Sequence, residues 1–250
     1  MNPLLNVLAP GHFNFTLSFF SSLSDQFYQC FIYKSRYHYI TGGLKNTLII
    51  TLFAVLLGVI LGTIVAVIRS AHIDNPKRLK IANGICTLYL TVIRGTPELV
   101  QLMIMYYIIL SPIGLSDITS AILAFGINSG AYVAEVIRSG IQSVDRGQME
   151  AGRSLGLSQK TTMTKIVFPQ ALKNVLPAIG NEFITLLKDT SIAGYIGIQE
   201  LTKGGDTILS ITYLPFMPLL MTAAVYLVIV IGLTSVLTRF ERRLHRSDYR

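Results

Sequence analysis

Residues 47–68 read TLIITLFAVLLGVILGTIVAVI, which is 22 consecutive residues without a charged side chain. An α-helix of that length, at about 1.5 Å per residue, matches a bilayer hydrocarbon core about 30 Å thick. Two more uncharged runs follow, at residues 118–134 and 207–238. Because lipid satisfies no backbone hydrogen bonds and these runs are continuous rather than alternating, they predict transmembrane helices rather than strands.

Two further stretches, residues 81–116 and 166–187, are mainly apolar but are interrupted by charges and prolines. Across the chain, 51% of the residues are hydrophobic and only 14% are charged, which is typical of a protein embedded in a membrane. The sequence therefore predicts an all-α integral membrane protein with five transmembrane helices. These helices span roughly residues 44–69, 82–110, 118–138, 166–188 and 213–238.

The basic residues predict how the chain is oriented in the membrane. Of the 21 Lys and Arg residues, four lie in residues 69–80, six in residues 138–173 and five in residues 239–250, whereas residues 111–116 hold none. Since cytoplasmic loops are enriched in Lys and Arg, we expect the N-terminus outside and the C-terminus inside. The net charge of +8 is thus mostly a topology signal, and it does not indicate nucleic-acid binding.

The ends of the chain are expected to lie outside the transmembrane domain. Residues 1–43 are rich in aromatic side chains but too polar for a clear span, which predicts an external or interfacial segment. A sixth membrane helix within residues 15–33 is the alternative. We expect a transmembrane domain at residues 44–245 and a cytoplasmic tail at residues 246–250.

The longest polar connection, residues 144–177, reads VDRGQMEAGRSLGLSQKTTMTKIVFPQALKNVLP. Asp145 can cap the start of one helix, Gly156 can end it in the left-handed conformation, and Ser158 can cap the next helix. Pro169 would then sit early in that next helix, where its missing N–H is tolerated. The pattern predicts a rigid, bent helical hairpin at residues 144–165, on the cytoplasmic side.

This connection resembles the EAA motif of the membrane subunits of bacterial ATP-binding-cassette (ABC) importers. In that family the loop forms coupling helices that dock on a separate cytoplasmic ATPase, so the resemblance implies that this chain contacts an ATPase there. Gly152 departs from the Ala usual in the family and is expected to loosen the first coupling helix. The residues implied in coupling are Glu150, Ala151, Gly156, Leu157 and Ser158.

Five segments in order narrow the resemblance to the polar amino acid permeases, which have the type I ABC importer fold. They are RGTPELVQL at 94–102, GAYVAEVIR at 130–138, GQMEA at 147–151, PQAL at 169–172 and NEFITLLKDTS at 181–191. The resemblance implies a bacterial inner-membrane permease that works with two ATPase subunits, a second permease subunit and an extracytoplasmic substrate-binding protein. ATP and Mg would bind to the ATPase.

The chain itself shows no signature of catalysis. It has no phosphate-binding G-x-x-x-x-G-K-[ST] loop, and its four histidines are scattered without metal-ligand spacing. We therefore expect neither an enzyme nor a bound cofactor or metal. An ion-coupled secondary transporter would need a repeat architecture and coupling-ion ligands, and an intramembrane enzyme would need a nucleophile–base pair; neither pattern is visible.

Two acidic residues, Glu98 and Glu182, fall within the predicted membrane region, where a charge is costly and usually faces a partner or a water-filled path. One interpretation is structural, with Glu98 paired to Arg94 and Glu182 paired to Lys188 or to a helix terminus. The other places both carboxylates on the substrate path. In the resembled family, an acid at the position of Glu98 is typical of members that handle arginine, lysine or histidine.

Asn128 and Tyr132 lie four residues apart and share one face of the third predicted span. They could offer amide and hydroxyl contacts to a zwitterionic amino acid, or they could form hydrogen bonds between helices. With Glu98 and Glu182 they make up the predicted substrate path. A basic amino acid is the expected substrate, and a neutral or acidic polar amino acid such as glutamine or cystine is the alternative.

Overall fold

The computed structural model describes residues 22–74, 77 and 79–245, and every regular element within these residues is helical. The α-helices are α1 (Tyr37–Asp74), α2 (Lys80–Gly95), α3 (Glu98–Met103), α4 (Asp117–Gln142), α5 (Arg146–Ser154), α6 (Gln159–Thr162), α7 (Phe168–Asp189), α8 (Leu201–Thr212) and α9 (Phe216–His245). A π-helical segment, Ile104–Leu110, extends α3, and another, Met163–Val167, joins α6 to α7. A 3₁₀ segment, Thr190–Ile196, follows α7.

Helices α1 and α4 form the centre of the fold, and glycines set their close approach. A Cβ atom on Gly58 would lie 2.8 Å from Ser129 Oγ, and one on Gly62 would lie 2.7 Å from Val133 Cβ. Real Cβ contacts of this length are sterically excluded, so a side chain at either glycine would force the two helices apart. These small residues therefore serve packing within the chain.

Within the described residues, three helices are long and apolar enough to cross a membrane, namely Tyr37–Ile73, Asp117–Gln142 and Phe216–Leu244. The first two contain the uncharged runs 47–68 and 118–134, and the third contains most of the run 207–238, whose first residues belong to α8. Glu98–Leu110 is apolar but shorter. The all-helical fold is thus as predicted, whereas the count of five spans stays a prediction.

The second predicted span, residues 82–110, is not one continuous helix. Thr96 and Pro97 take extended backbone conformations, with ψ of 151° and 133°, between α2 and α3. The cause is Pro97, because a proline ring disfavours the helical conformation of the residue before it. The chain therefore breaks at the point where the sequence interrupts its apolar run.

The fourth predicted span begins earlier than expected, because α6, the π segment and α7 run on without a break from Gln159 to Asp189. Pro169 is the second residue of α7, as predicted, although the π segment Met163–Val167 joins α7 to α6 without a break. Since proline cannot donate a helical hydrogen bond, the π segment Met163–Val167, directly before it, supplies the wider turn that accommodates the ring.

The N-terminal boundary expected at residues 43 and 44 falls inside α1, which already begins at Tyr37. Ahead of it, Cys30 and Phe31 are buried against Leu201 and Ile208 of α8. The expected tail at 246–250 and residues 15–21 of the alternative sixth helix lie outside the described residues. The external location of the N-terminal segment therefore stays a prediction.

Candidate functional site

The break between α2 and α3 is held by one side chain, that of Gln101. Its amide nitrogen donates hydrogen bonds to the carbonyl oxygen of Ile93 at 2.7 Å, to that of Thr96 at 3.0 Å and to Thr96 Oγ1 at 2.8 Å. In an unbroken helix the carbonyl of Ile93 would accept from residue 97, but Pro97 has no N–H. Gln101 thus replaces the donor that proline removes.

Gln101 also connects the break to α4. Its Oε1 atom accepts a hydrogen bond from Asn128 Nδ2 at 2.8 Å, and Asn128 is buried. Asn128 thus forms a hydrogen bond between helices, which was one of the two interpretations of this residue. The sequence analysis did not identify Gln101 as a site residue. A glutamine four residues after a helix-breaking proline is the pattern that could have identified it.

Glu98 is the first residue of α3, directly after the break. Its Oε1 atom is buried and has no hydrogen-bond partner among the described residues. Arg94 does not pair with it, because Nη1 of Arg94 lies 3.5 Å from Oε2 of Glu135 on α4. The proposed Arg94–Glu98 ion pair is therefore wrong, and Glu98 carries an unsatisfied buried oxygen of the kind that calls for an explanation.

Glu182, on α7, is tied to α4 by a hydrogen bond that Ser129 Oγ donates to its Oε1 atom at 3.0 Å. Together with Asp189 at the end of α7, it lies close enough to Glu98 for their charges to interact. No Lys or Arg forms an ion pair with these three carboxyl groups in the part of the chain that the structure describes, although the charge of Lys188 is near enough to Asp189 to interact with it. Asp189 was not among the predicted site residues, since nothing in its sequence neighbourhood shows that it approaches α3.

Tyr132 and Glu182 line the same cavity, which has a volume of about 490 Å³ and lies between α4 and α7. Tyr132 is 42% exposed, so its ring faces open space rather than the protein core. Asn174 contributes an amide to the same wall. Of the four predicted path residues, the structure thus brings these two to one cavity, whereas Glu98 and Asn128 are not part of its lining.

The bent hairpin after α4 has the expected local geometry. Asp145 caps α5 by accepting a hydrogen bond from the Gly147 N–H at 2.7 Å. Gly156 takes the left-handed conformation, with φ of +81°, and its N–H donates to the carbonyl of Arg153 at 3.0 Å. Because the left-handed region costs a residue with a Cβ atom energy, the sharp corner depends on this glycine.

The hairpin carries exposed residues on both sides of Gly156. Ser158 caps α6 by accepting a hydrogen bond from the Thr161 N–H at 3.1 Å. Glu150 and Ala151 are exposed, and Leu155 is 82% exposed although it is apolar. Leu155 was not among the predicted coupling residues.

Gly152 plays a different part from the one expected of it. It is buried, and a Cβ atom there would lie 2.5 Å from Thr162 Cγ2 and 3.1 Å from Ile166 Cδ1. The glycine therefore allows α5 to lie directly against α6 and the π segment. The two arms of the hairpin thus pack closely at Gly152, which local helix propensity alone does not indicate.

Comparison with known proteins identifies relatives along most of the chain. Residues 58–246 match the family model described as "Binding-protein-dependent transport system inner membrane component". The glutamine transport system permease protein GlnP of Escherichia coli is 38% identical over 66% of this chain and 76% of its own length. The arginine permease protein ArtQ of Bacillus subtilis is also 38% identical, with the same coverage, and the L-cystine permease protein TcyB is 35% identical over 86% of this chain and 90% of its own length.

Solved structures agree with these matches. An amino acid ABC transporter crystallised with histidines superposes on this chain with a TM-score of 0.76 at 42% identity, covering 85% of this chain and 98% of the other. The MetNI methionine ABC transporter, in an inward-facing form, has a TM-score of 0.66 at 21% identity, covering 83% and 96%. At that lower identity the second likeness concerns the fold alone.

Proposed function

Because this chain belongs to the family of inner membrane components of binding-protein-dependent transport systems, we propose that it forms the path for a basic amino acid in an ATP-driven importer. The observation that supports this substrate is the group of three carboxyls, Glu98, Glu182 and Asp189. Among the described residues, Glu98 and Glu182 have no cationic partner, and Asp189 has only the nearby charge of Lys188. A cationic side chain of arginine, lysine or histidine would supply the missing charge.

The runner-up is a neutral or acidic polar amino acid. Relatives of similar identity are described as permeases for glutamine, arginine and L-cystine, so relatedness alone does not select among these substrates. The histidines in the structural relative favour the basic class. In the proposed path, Tyr132 and Glu182 contact the substrate from one cavity, and Asn128 acts through Gln101 to hold the helix that carries Glu98.

The partners follow from the exposed corner and the family. We assign the surface formed by Glu150, Ala151, Gly156, Leu157 and Ser158 to contact with a separate ATPase subunit, which would bind ATP and Mg. Exposed Leu155 at the tip suits an apolar groove on that subunit. A second permease subunit and an external substrate-binding protein would complete the importer.

Selective uptake is the direct test of the substrate class. We expect vesicles that contain this chain, its ATPase and its binding protein to take up arginine or lysine when ATP is enclosed with the ATPase. An excess of unlabelled arginine should suppress that uptake, whereas equal glutamine or cystine should not. Uptake of glutamine alone would instead establish the runner-up. The control is the same vesicle with ADP in place of ATP.

The proposed orientation predicts which side of the membrane each loop faces. A cysteine placed at Lys160 should react only with a reagent that reaches the cytoplasm, and one placed at Ser116 should react from outside. The reason is the concentration of Lys and Arg around Lys160 and their absence from residues 111–116. Labelling in intact cells, with the native Cys30 and Cys86 replaced by serine, gives the measurement. Reaction of the cysteine at position 160 from outside would show that the topology is the reverse of the one proposed.

A further inference from the structure

A second cleft lies where α1 ends, between α1, α2 and α4, and it shares Glu135 and Arg138 with the cavity that Tyr132 and Glu182 line. Its volume is about 190 Å³. Its polar lining comes from Arg69, Glu135 and Arg138, and its apolar lining includes Ala66, Ile73 and Leu90. The cleft thus combines charged groups on one side with aliphatic surface on the other.

The charges around this cleft do not balance. Glu135 accepts hydrogen bonds from Arg138 Nε, at 3.0 Å to each of its oxygens, and lies 3.5 Å from Arg94 Nη1. Arg69 is half-buried and makes no hydrogen bond or ion pair with any residue that the structure describes. Among the side chains that the structure describes, three guanidinium groups therefore surround one carboxylate, which leaves a surplus of positive charge in a confined space.

A phosphate group is the chemical partner that this surplus fits. The planar guanidinium of Arg presents paired donors that match the oxygens of a phosphate, and such charge-assisted contacts are among the stronger hydrogen bonds in proteins. Glu135 already occupies the donors of Arg138 that face it. Arg69 is therefore the residue whose donors remain for a ligand.

The surroundings indicate that the phosphate belongs to a lipid. Arg69 is the first charged residue after the uncharged run 47–68, which places it at the boundary between hydrocarbon and headgroups. Ile73 on α1 lines the cleft and is 68% exposed, and Ile85 on α2 is 64% exposed, so both helices carry exposed aliphatic surface. A free phosphate would gain nothing from that surface, whereas an acyl chain would bury it.

We propose that this cleft binds an anionic phospholipid, with the lipid phosphate on Arg69 and the acyl chains along the exposed faces of α1 and α2. Met163, in the π segment that joins the coupling hairpin to α7, lines the same cleft. A bound lipid would therefore contact the segment through which the hairpin connects to the membrane helices. The proposal does not depend on which amino acid is transported.

The test counts lipids retained by the full chain, purified together with its ATPase, by native mass spectrometry after titration with phosphatidylglycerol or phosphatidylcholine. The unmodified protein should retain phosphatidylglycerol in preference to phosphatidylcholine. Arg69→Gln should weaken that retention by about tenfold, the effect of losing one charge-assisted contact. Arg239→Gln removes the same charge from an exposed position of α9 and should leave retention unchanged.

Three results would overturn the proposal. One is equal retention of the two lipids by the unmodified protein, a measurement that does not depend on any variant folding. The second is an equal loss in Arg69→Gln and Arg239→Gln, which would show a general electrostatic attraction. The third is full displacement of the lipid by millimolar inorganic phosphate, which would make the cleft a site for the free ion.

Discussion

Replacing Gly156 with proline is expected to leave the protein in the membrane but to uncouple ATP hydrolysis from uptake. Gly156 has φ of +81°, which proline cannot adopt, and its N–H donates to the carbonyl of Arg153, a hydrogen bond that proline would remove. The substitution should cost about 3 kcal/mol, which lowers the population of the intact corner roughly a hundredfold. The transmembrane helices do not depend on this corner, so insertion should continue.

The measurement compares substrate-stimulated ATP hydrolysis and uptake in vesicles with assembly of the ATPase on the membrane. The matched control is Gly156→Asn, since asparagine tolerates the left-handed conformation and keeps the N–H, so it should retain most of the coupling. Normal stimulated uptake by Gly156→Pro would show that the corner does not transmit force. An equal loss in Gly156→Asn would show that the position accepts no side chain. The backbone conformation would then not be the deciding factor.

The local features of the hairpin could be predicted because they depend on neighbours in the sequence. Asp145, Gly156 and Ser158 cap and end helices through atoms only two or three residues away, and the structure confirms all three. The fit of Gly152 could not be predicted in the same way. It depends on Thr162 and Ile166, which meet Gly152 only after the chain has turned.

The membrane helices also differ in how fully the sequence predicted them. Uncharged runs predicted α1, α4 and α9, because length and apolarity alone decide whether a helix can cross a bilayer. The stretch 82–110 was predicted as one span whose apolar run is interrupted around Pro97, and the helix breaks at that interruption.

The candidate path shows what a sequence leaves open. Glu98 and Glu182 stand out in a sequence because charges are rare in apolar runs. Their partners are less visible, since Ser129 is 53 residues from Glu182 and the Asn128–Gln101 hydrogen bond joins residues 27 apart. Only the packing of α2, α3, α4 and α7 reveals that Asp189 lies near enough to the two glutamates to interact with their charges and that Arg94 pairs with Glu135.

The prediction about the substrate follows from the group of three carboxyls, Glu98, Glu182 and Asp189. Glu98→Gln and Glu182→Gln should each weaken uptake of arginine or lysine about tenfold to a hundredfold while basal ATP hydrolysis continues. An ion pair about 4 Å apart gains about 4 kcal/mol at an effective dielectric constant of about 20. Stripping water from both ions removes a large part of that gain, and what remains, about 1.4 to 3 kcal/mol, corresponds to the expected loss.

Uptake and basal hydrolysis are compared in reconstituted vesicles, with the binding protein held saturated so that only the membrane step varies. Glu241→Gln is the matched control, because it removes an exposed carboxylate of α9, outside the path, and should transport normally. Wild-type rates in both path variants would mean that the carboxyl cluster does not select the substrate. Membership of the transport family would survive that result, since it rests on the match over residues 58–246 and not on the carboxyl groups.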